Sequence, residues 1–109
     1  MRMASIAATV LVPLSCAETR AAPQPKFIKE ASVVVCSSID DAETYTAIVR
    51  QHDWEGVRKF VREAKTEGRC WTLDGGTDVF VMKRTRVGTD SYECLRAKGE
   101  TRCGWDYEG

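Results

Sequence analysis

The feature that most restricts how this chain can fold is a pair of cysteines flanking a short turn near the C-terminus, in Tyr92-Glu93-Cys94-Leu95-Arg96-Ala97-Lys98-Gly99-Glu100-Thr101-Arg102-Cys103-Gly104-Trp105-Asp106-Tyr107. Lys98-Gly99 predicts a two-residue hairpin turn, with glycine supplying the backbone freedom such turns need. Folding back around it pairs Ala97 with Glu100, Arg96 with Thr101, Leu95 with Arg102 and Cys94 with Cys103. In that register Cys94 and Cys103 occupy a non-hydrogen-bonded pair, where the Cβ atoms approach most closely. This spacing suits a disulfide. Tyr92, Trp105 and Tyr107 share parity with the two cysteines, so one face of the hairpin carries an aromatic row. Leu95 falls on the other face.

A disulfide requires an oxidising compartment, and the N-terminus is consistent with one. Met1-Arg2-Met3 is a short basic region, and Ala4 to Leu14 is an apolar stretch too short to span a bilayer comfortably. Residues 1-22 therefore read as a signal peptide and cleavage region, with small residues at Ser15 and Ala17 and later sites around Ala21-Ala22. An alternative makes Cys16 the lipid-bearing first residue of a membrane-anchored lipoprotein, because Leu14-Ser15-Cys16 resembles the end of a bacterial lipobox, although Pro13 stands where that pattern has leucine. In either case Cys16 leaves the structural count. Of 5 cysteines the fold keeps Cys36, Cys70, Cys94 and Cys103. Four cysteines allow three pairings; the hairpin selects Cys94-Cys103 and elimination leaves Cys36-Cys70.

Residues 23-109 are expected to form one small α+β domain. The Pro-bearing stretch Ala21 to Lys26 reads as an extended tether, followed by one short strand ending in Val33-Val34-Val35-Cys36. Ser38 with Asp41 resembles a capping box, opening a helix over about 39-51. Asp53 caps a second over about 54-67, whose Trp54, Val57, Phe60, Val61 and Ala64 fall on one face and whose end is marked by Gly68. From about 69 to 107 the period shortens to that of strands: Cys70 to Leu73, Asp78 to Arg86, and the two arms of the hairpin. This predicts an antiparallel β-meander of about four strands, curled or closed to hide its edges.

Gly68, a cysteine-led strand at Cys70, the Gly75-Gly76-Thr77 turn, the apolar strand after it and the late Trp105 resemble the small SH3-like β-modules at the C-terminal ends of exported bacterial proteins of unknown function. The resemblance runs from Gly68 to Trp105. It implies a binding or structural module and carries over no catalytic residue.

Chemistry-bearing motifs are few. The cysteine gaps are too long for the close Cys-x-x-Cys pairs of structural zinc, and no such pair is present to tune a redox thiol. His52 is the only histidine and falls in the link between the helices. Disulfide formation leaves no free thiol for it to activate. No serine stands in a Gly-x-Ser-x-Gly elbow. Asp40 and Asp41 read as capping residues, and Asp74 and Asp78 as turn residues. With 16 basic and 16 acidic residues the chain has no net charge, so no field steers it toward nucleic acid or anionic lipid.

No enzyme activity, cofactor or metal is therefore expected. The expected function is that of a periplasmic or secreted binding or accessory module for an envelope protein or peptide, with Trp71, Tyr92, Trp105 and Tyr107 as candidate contact residues. The alternative is an inhibitor-like protein that presents the 97-100 hairpin loop to a target enzyme.

Overall fold

The computed structural model describes residues 23-109. The expected signal peptide, Cys16 and the lipobox alternative lie outside the described residues. Eight elements follow in order: β1 (Gln24–Phe27), β2 (Ser32–Cys36), α1 (Ile39–Arg50), α2 (Trp54–Thr66), β3 (Cys70–Asp74), β4 (Asp78–Val87), β5 (Asp90–Ala97) and β6 (Gly104–Tyr107). Among the described residues no helix is long and apolar enough to cross a membrane.

The helices form where their caps place them. Ser38 Oγ accepts a hydrogen bond from the Asp41 amide at 3.1 Å, and Asp53 Oδ1 accepts one from the Gly56 amide at 2.9 Å. Gly68 ends α2 with φ of 74°, a conformation open to glycine at little cost. One expectation for α2 fails. Phe60 and Ala64 pack toward the sheet, but Trp54 is 52% exposed, with its ring edge-to-face with that of His52 at 5.7 Å between centroids. Its position in the first turn carries it past the end of the surface that the rest of the helix covers.

The strands differ more from expectation. All six join one antiparallel sheet in the order β1-β4-β5-β6-β2-β3. The segment expected to be a tether is partly β1, with Gln24 opposite Val81 and Phe27 opposite Asp78. Pro25 is tolerated because β1 is an edge strand, where a missing N–H breaks no ladder. Nor is the C-terminal part a simple meander. β3 does not pair with β4; it pairs along its whole length with β2, which in turn joins β6 through Cys36 and Trp105.

This order forces the sheet to curl. β3 and β4 stand four inter-strand spacings apart, roughly 19 Å in a flat sheet. Gly75 to Thr77, the three residues between them, reach at most about 14 Å from Asp74 to Asp78. Only a curled sheet brings the ends within reach, and the backbone records the approach: the Gly76 amide donates to Ile28 O at 3.0 Å and the Ile28 amide to Thr77 O at 3.2 Å. Ile28, Val35, Leu73, Val79, Val81 and Leu95 consequently meet in one interior cluster on the concave side. On the convex side, Cys36, Ala42, Ala64, Cys70 and Tyr92 form a second cluster beneath the helices.

Both disulfides are present, Cys36–Cys70 and Cys94–Cys103. Cys36 and Cys70 are direct partners in the β2–β3 ladder, so this bridge joins the two strands that bracket the helical hairpin. The second bridge forms in a different register from the expected one. Cys94 stands opposite Trp105, and Leu95 opposite Gly104, which shifts the hairpin by two residues and makes the disulfide diagonal. The Lys98-Gly99 turn survives, with the Glu100 amide donating to Ala97 O at 3.0 Å. Glu100 to Cys103 then leave the ladder: Arg96 Nη1 donates to Glu100 O at 3.0 Å, and the Arg102 guanidinium lies 3.6 Å from the centre of the Trp71 ring. Because side chains alternate with a period of two, a shift of two preserves which face each one occupies.

Gly104 shows why that register is selected. A Cβ there would lie 2.5 Å from Val35 Cγ2 and 2.8 Å from Trp71 Cζ2, so β6 comes close to β2 only because this residue has no side chain. Gly104→Ala is expected to cost about 1 to 3 kcal/mol, the usual range for overpacking, measured as a fall in the urea midpoint. An unchanged midpoint would mean that β6 does not sit this close to Val35.

Candidate functional site

The four aromatic residues singled out in the sequence separate into three environments. Tyr92 is 1% exposed and belongs to the core beneath the helices. Trp71 is on the concave side, packed against the interior cluster and covered by Arg102. Trp105 and Tyr107, one strand-repeat apart on β6, remain together and line a half-open hollow of about 270 Å³ between β6 and α1. The expected aromatic row thus exists as a face, with its inner member serving as core and its outer members reaching solvent.

Helix α1 builds the opposite wall. Tyr45, Thr46, Val49 and Arg50 face β6 across the hollow, and Val34 of β2 contributes to the lining. Thr46 Oγ1 donates to Ala42 O at 2.8 Å, satisfying its hydroxyl within the helix, so the wall it presents is largely apolar. Tyr107 packs edge-on against Tyr92, with centroids 5.7 Å apart. The Arg50 guanidinium lies 4.8 Å from the Tyr107 ring centre and is held there by Asp90, at 2.9 and 3.2 Å. That bidentate contact lowers the Asp90 carboxyl below its usual range. Tyr107 is thereby fixed from behind by Tyr92 and from above by Arg50, while 37% of it stays exposed.

The register also creates a carboxylate pair that the expected hairpin would have separated. Glu93 stands directly opposite Asp106. With Cys94 opposite Cys103, Glu93 would instead have faced Gly104. Glu93 is 1% exposed and ion-paired to Lys26 of β1, with Arg84 at 4.0 Å on its other side. Arg84 also contacts Gln24 at 2.8 Å and Glu108 at 3.2 Å, completing a polar layer at one end of the curled sheet. Asp106 is pushed up to about 7, first by burial and then by the neighbouring charges of Glu93 and Glu30, with Lys26 opposing them. Tyr45 is raised in turn, by burial and then by Asp106. Sequence spacing alone carried no signal for this pair, since it depends on the two-residue shift.

His52 lies away from this hollow, exposed in the link between α1 and α2, with φ of 57°. Cys36, Cys70, Cys94 and Cys103 are all engaged in bridges, and among the described residues no three potential ligands cluster to hold a metal ion. What the hollow offers is non-covalent: aromatic and aliphatic walls, a fixed cation at one end and, at its margin, the Asp106 carboxyl pushed up to about 7.

No family model, curated protein or solved structure matches this chain.

Proposed function

We propose that the protein is an exported, non-catalytic binding module of the bacterial envelope, with an SH3-like barrel stapled by two disulfides and a contact site in the α1–β6 hollow. The observation that carries this reading is the placement of Trp105 and Tyr107: a partly exposed aromatic pair, rigidly backed, opposite an apolar helical wall. Aromatic groups held in this way bury much area on binding at little cost in side-chain entropy. The paired cysteines support export, since such bridges persist in oxidising compartments. Its partner is an envelope protein or peptide.

The test is site-specific photocrosslinking in the full chain, with benzoylphenylalanine at Tyr107 in one variant and at Lys98 in another. A discrete adduct from position 107 and none from position 98 is expected. Adducts from position 98 alone would favour the inhibitor-like reading, which the stiffened 97-100 loop supports through the Arg96–Glu100 and Arg102–Trp71 contacts. Labelling at neither position would remove both surfaces from consideration.

A further inference from the structure

The α1–β6 hollow does not end at Tyr45. On the far side of that ring a second, shallower groove runs along α2, and Val34 and Tyr45 belong to both. Val57 and Val61 supply its apolar wall, and Arg58, Arg62 and Lys65 form its rim. These three cations are exposed, and among the described residues none is engaged in an ion pair. Arg50, Arg69 and Arg84, by contrast, have carboxylate partners, and Arg96 and Arg102 lie against the Phe80 and Trp71 rings. What sets Arg58, Arg62 and Lys65 apart is their alignment along one apolar trough, in a chain with no net charge.

The spacing of that row restricts what complements it. Positions 58, 62 and 65 advance about 10 Å along the helix axis at 1.5 Å per residue. In an extended chain, side chains on one side recur about every 6.6 Å, so two or three consecutive same-side positions match the row. The intervening side chains then point the opposite way, toward Val34, Val57 and Val61. Resting on the binding role given above to the adjoining α1–β6 hollow, we propose that the groove receives an extended segment of a partner protein in which acidic and apolar residues alternate, the acids facing Arg58, Arg62 and Lys65. A bilayer fits less well, because the apolar residues line a trough between α2 and the Tyr45 ridge and do not protrude toward a flat surface.

A fluorescein-labelled seven-residue peptide alternating glutamate with leucine, titrated with the protein and followed by anisotropy, tests this. The peptide is expected to bind, to bind less tightly as salt is raised from 50 to 300 mM, and to lose about tenfold in affinity to the triple variant R58A/R62A/K65A. Arg62→Glu alone should shift affinity in the same direction. The lysine–leucine counterpart should not bind. Equal affinity of the parent and the triple variant overturns the proposal, as does equal binding of the lysine–leucine peptide, or binding of phosphatidylglycerol vesicles without binding of the acidic peptide. Tyr107→Ala separates this idea from the one beneath it. If Tyr107→Ala abolishes peptide binding while the triple variant binds normally, the hollow remains the contact site and the acidic partner is wrong; if both variants bind like the parent, the groove proposal falls and the position-107 crosslink alone decides the hollow.

Discussion

Replacing Cys36 and Cys70 together with alanine is expected to cost the domain about 4 kcal/mol, against about 2.5 kcal/mol for the same change at Cys94 and Cys103. The difference follows from loop closure. The first bridge spans 34 residues of sequence and the second 9, and a longer loop removes more freedom from the unfolded chain. The first also joins β2 to β3 at the base of the helical hairpin, so its loss frees the ends of the segment that carries both helices. A described domain of this size has a core close to the lower limit for independent folding, and a loss of about 4 kcal/mol is a large share of ordinary stability. Urea unfolding of the two double variants measures the effect, with comparable slopes required for the comparison. A larger loss from the Cys94–Cys103 change would show that contacts in the native hairpin outweigh chain entropy.

Asp106→Asn is expected to stabilise the protein by about 3 kcal/mol at pH 8 and to leave it nearly unchanged at pH 4. An aspartate in the unfolded chain titrates near 3.8, whereas in the fold Asp106 titrates at about 7. Between those values the native state keeps a proton that the unfolded state has released. Its contribution therefore makes stability fall as pH rises, by up to about 1.4 kcal/mol per pH unit, and level off above 7. Partial solvent contact reduces the full shift, hence the lower figure. Asp90 acts in the opposite sense, because its carboxyl is lowered by Arg50 and its contribution is lost on acidification. Subtracting the variant's stability profile from the parent's isolates Asp106. If the two profiles run parallel from pH 4 to 8, Asp106 is not held protonated beside Glu93.

These two predictions depend on different amounts of sequence information. The Cys94–Cys103 bridge was legible because a turn and two cysteines close together leave few geometries. The helices were legible because Ser38, Asp53 and Gly68 act on neighbouring backbone groups. The alternation of faces on β5 and β6 was legible for a similar reason, since a period of two survives any even change of register. Trp54 was misplaced because periodicity gives the direction of a side chain without saying where the opposing surface ends. The β1 edge strand was missed because proline-rich composition argues against pairing in general and only an edge position excuses it.

Local chemistry, acting over a few residues, determined this protein's helix limits, its Lys98-Gly99 turn, its Cys94–Cys103 bridge and the side of the sheet on which Tyr92, Leu95, Trp105 and Tyr107 lie. The tertiary structure decided the rest: the insertion of β2 and β3 beside β6, the curl imposed by short connections, and the two-residue shift set by the close approach of Gly104 to Val35. That shift put Glu93 opposite Asp106, and the packing of α1 against β6 made Tyr92 core and left Tyr107 open to solvent. Such outcomes depend on contacts between residues far apart in the chain. A pattern read along the sequence has no distance term for them.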